Sequence, residues 1–182
     1  MKKYLLIILF LFSNFNVLNA DERVTKLNKL FNDLKINNYS IASEVEKKIW
    51  EIWSTHPNNQ QLTSLLAEGS NLVNKEEYNK AIDIFSKTIE LDPSWAEAWN
   101  KRATVLYLSG EFEKSQNDID KVLQLEKRHF GALAGQGLVN IQLKNYEKAI
   151  ESYEKAKELY PSMRSPDIMI KQIKDLIKKQ SI

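Results

Sequence analysis

Apolar side chains recur along this chain at three- and four-residue spacing, the period of one buried helix face. Val24, Leu27, Leu30, Phe31 and Leu34 predict a helix over 21–36. Ile41, Val45, Ile49, Ile52 and Trp53 predict a second over 40–53, with Asn37 and Asn38 as the turn between them. The run Thr55-His56-Pro57-Asn58-Asn59 then breaks the pattern, because proline disfavours helical geometry at the residue before it. Residues 21–57 are therefore expected to form a helical hairpin that begins a stack, with Trp50 or Trp53 packed on the segment that follows. Near the other end, Ser165-Pro166-Asp167 supplies a cap, a first-turn proline and an acid suited to a helix N-terminus. Ile170, Ile173, Leu176 and Ile177 follow at helical spacing among lysines, which predicts an amphipathic capping helix within 164–182.

Between these ends the pattern repeats without a gap every 34 residues, as the distances between matching columns show. Gly69, Ala103 and Gly137 form one column, and Ala81, Ser115 and Ala149 another. Tyr78, Phe112 and Tyr146 form a third, Phe85, Ile119 and Tyr153 a fourth, and Pro93, Lys127 and Pro161 a fifth. Each unit is expected to be helix, turn, helix: 62–95, 96–129 and 130–163. Small residues let the paired helices approach, and aromatic or branched residues fill the space between them. Pro93 and Pro161 are expected to stop the second helices, with a softer stop at Lys127.

A 34-residue period with these small, aromatic and proline columns resembles the tetratricopeptide repeat. The resemblance implies an all-α, right-handed solenoid that acts as a platform for other proteins. It also implies a concave surface lined by the first helix of each repeat. At the family's groove positions this chain has Leu66, Ser70 and Val73, then Asn100, Thr104 and Tyr107, then Leu138 and Ile141. Family members that grip a C-terminal carboxylate use Lys, Arg and Asn there; this chain has no basic residue at those positions. The stretch WAEAWNKRATVLYLSGEFEKSQNDIDKVLQLEKRHFGALAGQG, with the preceding IWEIW, is similar to small exported proteobacterial proteins that carry these repeats.

The first 20 residues change where such a protein is expected to work. Lys2 and Lys3 lead into the apolar run from Tyr4 to Phe12, and Ala20 offers a small residue before Asp21. This is a signal-peptide layout, and the run is too short for the ~20 residues that span a bilayer. A cleaved signal and a periplasmic mature protein, with no membrane insertion after cleavage, are the expectation. Cleavage would remove two of the 26 basic residues and leave 24, equal to the 24 acidic ones. Nothing in that balance points to nucleic acid. The absence of cysteine removes disulfides, thiolate metal sites and thiol chemistry.

Candidate chemistry is sparse. His56 and His129 are the two histidines, each in a different inter-helix junction, and neither joins a metal or triad constellation. No catalytic residue, cofactor or metal is expected. Gly131, Gly135 and Gly137 crowd one helix without a preceding strand, so they do not read as a phosphate loop. Gly131 and Gly135 leave backbone bare either for a neighbouring helix or for a bound chain. Of the four tryptophans, Trp95 at the entrance to the second repeat is the least obviously buried and the nearest to a partner, although a place in the core is the expectation for it too. The leading reading is a non-enzymatic adaptor that binds a peptide or helix of another envelope protein. A self-associating subunit whose groove is covered by its own hairpin, by its C-terminal helix or by a second copy is the alternative, and an enzyme comes third.

Overall fold

In a computed structural model, the protein is described over residues 22–36 and 38–180; the expected signal segment lies outside these residues. Helix α1 covers residues 22–34, and α2 covers Tyr39–Ser54. The repeats follow as α3 Gln60–Asn74 with α4 Tyr78–Leu91, α5 Ala96–Leu108 with α6 Phe112–Leu125, and α7 Phe130–Gln142 with α8 Tyr146–Leu159. Helix α9 is Ser165–Gln180. The architecture is an all-α solenoid. Asn38 and Asn59 explain two of the helix starts, since each side chain accepts hydrogen bonds from two backbone amides of the turn it opens.

The small column works as the sequence demands, and it is tuned to the residue it meets. A Cβ built on Gly69 would lie 2.4 Å from the Phe85 ring, and one on Gly137 would lie 2.5 Å from the Tyr153 ring. In the middle repeat the smaller Ile119 stands opposite, and there the column carries Ala103. Ser115 keeps its buried hydroxyl satisfied by donating to the Ala103 carbonyl at 2.7 Å. Each turn inside a repeat uses one left-handed residue at the same register: Glu76, Gly110 and Lys144, with φ of 59°, 78° and 60°.

Neighbouring repeats are joined by a polar relay that also repeats. Arg102 makes a two-pronged contact with Asp118 of its own repeat, at 2.7 and 2.8 Å, and donates to Ser86 of the repeat before. In the next repeat Gln136 accepts from Ser152 and donates to Asp120 at the same register. The second helices stop at Leu91, Leu125 and Leu159, so Lys127 does not soften its junction. There Glu126 turns extended and is held by the Arg128 guanidinium.

Helix α9 behaves as the first helix of a further repeat. Its buried Pro166 and Ile173 fall at the registers of Ala98 and Val105 in α5, and of Ala132 and Val139 in α7. Lys171 occupies the small-residue register, with no second helix opposite among the described residues.

The N-terminal hairpin does not begin the stack. Its core residues Leu30, Phe31, Ile49 and Trp53 cluster with Phe130, Tyr160 and Met163, whereas the cluster of the first repeat contains no hairpin residue. Helix α2 runs along the edge where one repeat passes to the next. The Trp53 carbonyl accepts from Trp95 Nε1 at 2.9 Å at the first junction. At the second, the Trp53 ring stacks on His129, with centroids 4.0 Å apart and planes 9° apart. Tyr160 donates to Glu46 at 3.0 Å, and Arg164 lies over the Tyr39 ring, at the third. Fourteen residues of helix rise about 21 Å, enough to pass two helix layers of roughly 10 Å each.

Candidate peptide-binding groove

The first helices α3, α5, α7 and α9 present the groove registers, and the structure sorts the eight expected lining residues into two sets. Asn100, Thr104, Tyr107 and Leu138 come together with Gly131 and Gly135 around a cleft of about 70 Å³ between α5 and α7. The other four do not line it. Leu66 is 3% exposed and belongs to the interior of the first repeat, so it offers a partner no surface. Val73 is half-buried in that same cluster, and Ser70 spends its hydroxyl on the Leu66 carbonyl. Ile141 packs against the cluster of Ala149, Tyr153 and Ile173 that joins the third repeat to α9.

Helix α2 closes one end of the groove. The Trp50 ring fills the space above Gly131, where a Cβ would lie 2.5 Å away, and Lys101 Nζ lies over the same ring. Gly131 is therefore required by packing. Beneath this cover Glu97 is fully buried, held by Asn100 at 3.1 Å, His129 at 3.0 Å and Lys101 at 3.3 Å. His129 Nδ1 accepts from the Ala132 amide, so Nε2 carries the proton that meets Glu97. The ring caps α7 and supports Trp53; it is not exposed to any substrate.

His56 repeats this arrangement at the first junction. Its Nδ1 accepts from the Asn58 amide and its Nε2 donates to Asp92 at 2.8 Å. Burial works to raise the Asp92 carboxyl, but hydrogen bonds from Ser94 and His56 outweigh it and hold the group below its ordinary 3.8. At Tyr160, burial and then the bond to Glu46 push the hydroxyl well above its ordinary range, so it stays a donor. Trp95 is 6% exposed and sealed under the hairpin, in the core as expected rather than at a partner surface. No group of three or more His, Cys, Asp or Glu among the described residues is placed to hold a metal ion.

One groove feature has no counterpart among the expected lining residues. Ile168 is 55% exposed at the register of Ala134, and adding one more 34-residue step to α7 would have found it. With Leu108, 48% exposed, and Leu138, 36% exposed, it makes an apolar diagonal across the first helices. Of the two glycines expected to leave backbone bare, Gly131 meets the Trp50 ring and Gly135 floors the open cleft, a division set by what lies opposite each.

Residues 131–163 match the tetratricopeptide repeat family. A TPR repeat-containing protein of Rhizobium etli is 32% identical over 142 residues, which cover 77% of this chain and 69% of that protein. The chain is a tetratricopeptide repeat protein. A heat-shock cognate co-chaperone of Aspergillus fumigatus, sgt12, is 29% identical over 94 residues; there the TPR chain spans only 28% of the relative's length. Among solved structures, the first TPR of Spaghetti (RPAP3), bound to the HSP90 peptide SRMEEVD, superposes with a TM-score of 0.64 at 21% identity. That alignment covers 66% of this TPR protein and 96% of the other chain. The crystal structure of MamA gives 0.60 at 24% identity over 75% of this chain and 77% of that one. These likenesses show the fold.

Proposed function

We propose that this protein is an exported adaptor which holds a segment of another envelope protein against the concave faces of α5, α7 and α9. The carrying observation is the exposed diagonal of Leu108, Leu138 and Ile168 beside the open cleft. Apolar groups left facing water on a repeat scaffold are the usual mark of a partner surface. The peptide held by the Spaghetti domain supports the same use of the fold. The N-terminal layout of two lysines, a short apolar run and Ala20 supports export and cleavage before Asp21. No helix among the described residues is long and apolar enough to cross a membrane.

The test uses a photo-crosslinking amino acid at Thr104 in the groove and, as a control, at Lys87 on an exposed face of α4. In the native envelope, a foreign protein captured from Thr104 only, and lost when Leu138→Glu is added, is the expected result. Capture of a second copy from Thr104 would replace the adaptor with a self-associating subunit. N-terminal sequencing of the envelope form checks cleavage: a chain beginning at Met1 would overturn export by a cleaved signal.

A further inference from the structure

We infer that the groove selects an uncharged, internal peptide segment, whose backbone meets Asn100 and whose aliphatic side chain enters the cleft floored by Gly135. This rests on the groove reading above. Gly69, Gly131 and Gly137 each face an aromatic ring that would collide with an added Cβ, at 2.4 to 2.5 Å. Gly135 does not: a Cβ there would make an ordinary contact with Ile119, 3.7 Å away. The protein's own packing thus tolerates alanine at 135, yet the residue is glycine in the middle of a helix, where glycine is disfavoured. Its bare backbone makes floor space between Tyr107 and Leu138.

A second observation points the same way. Asn100 is 8% exposed and lines this cleft; its Nδ2 donates to Glu97, while its Oδ1 accepts no hydrogen bond among the described residues. An amide oxygen that is open to the cleft and has no donor within the protein is free to accept a backbone N–H from the occupant. The charge pattern fixes the class of segment. The residues that line the cleft are all uncharged, and the nearby carboxylate of Glu97 is engaged by Asn100, His129 and Lys101. A charged side chain or a chain terminus entering here would lose water without gaining a counter-ion. The volume limits the side chain: about 70 Å³ is roughly half of the ~150 Å³ cavity that admits a benzene ring. A small branched aliphatic side chain therefore suits the cleft better than an aromatic ring.

The experiment titrates the isotope-labelled full chain with short peptides of Ser, Thr, Asn and Gln, acetylated and amidated at their ends. The central residue is Ala, Val, Leu or Trp, and backbone amide shifts are followed by NMR. Val- or Leu-centred peptides are expected to move the Thr104, Gly135 and Leu138 signals and to bind about tenfold more tightly than those centred on Ala or Trp. Gly135→Leu should erase that preference. Gly135→Ala, which the packing accommodates, should shrink it while raising the melting temperature, so a loss of preference cannot be put down to unfolding. Groove binding without aliphatic preference, or a preference unchanged in both variants, overturns the pocket and leaves the groove reading standing. If no peptide moves the groove signals of the wild type, both fail.

Discussion

Gly137→Ala and Gly135→Ala place the same methyl group on the same helix two residues apart, and they should move stability in opposite directions. Each gains about 1 kcal/mol of intrinsic helix propensity. At 135 nothing opposes the gain, since the new Cβ meets Ile119 at 3.7 Å. At 137 the Cβ arrives 2.5 Å from the ring of Tyr153, which is 1% exposed and can yield only by displacing its buried surroundings. Overpacking of this kind costs about 1–3 kcal/mol. Gly137→Ala should therefore come out between neutral and about 2 kcal/mol destabilising, and the two variants should differ by about 1–3 kcal/mol. Urea titration followed by circular dichroism, with the denaturant slope checked for constancy, measures the difference. The middle repeat supplies a rescue, because it pairs Ala103 with Ile119. Tyr153→Ile should cost less in the Gly137→Ala background than in the wild type, a favourable coupling between contacting sites. Equal effects at 135 and 137, or no coupling, would show that these glycines are not set by the ring opposite.

Trp53→Ala should destabilise by about 3–5 kcal/mol, as loss of a buried indole does; hydrogen exchange should rise in α1, α2 and the start of α7 before it rises in α3 and α4. Early loss in α3 would contradict the hairpin's docking on the third repeat. Because the Asp92 carboxyl is held below its ordinary 3.8, its contribution is complete above that pH and is lost as the pH falls through the depressed value. Asp92→Asn should thus lower stability at pH 7 and flatten the loss of stability below pH 4, as thermal melts across that range would read; an unchanged acid limb would exclude Asp92 as a contributor. Lys144→Gly should stabilise and Gly110→Ala destabilise, each by roughly 1 kcal/mol, since both turns need a left-handed residue. Chemical denaturation of the pair tests this, and matching signs would refute it.

The repeated helices were legible because their register is local: small residue, aromatic, turn and stop recur in fixed columns, and the pairing of Gly with Phe85 or Tyr153 and of Ala with Ile119 sits in the sequence itself. The hairpin's destination was not. An apolar stripe ending in Trp50 and Trp53 says that a face is buried without saying against what. The signal lay in the third repeat, where Tyr160 interrupts a column otherwise filled by Asp92 and Glu126, and where Phe130 stands opposite Ala96. Two extra aromatics on one edge require a cover, and α2 provides it. Of the groove residues, Thr104 and Leu138 were placed by register alone. Leu66 was misjudged because register gives a direction but not the depth to which α3 sinks into its partner helix.

A linear array of repeats ordinarily unfolds piecemeal, because each unit feels only its neighbours and the ends fray first. The strap formed by α2 changes that arithmetic. With α1 beside it, the strap ties Glu46 to Tyr160 across 114 residues and Asn28 to Arg128 across 100, so a segment near the N-terminus finds its partners only once the third repeat is in place. Local repeat contacts would form early, while closure of this long loop would come late and slow the final step. Once made, it couples the hairpin directly to the third repeat, so that loosening at one is felt at the other without passing through the repeats between them.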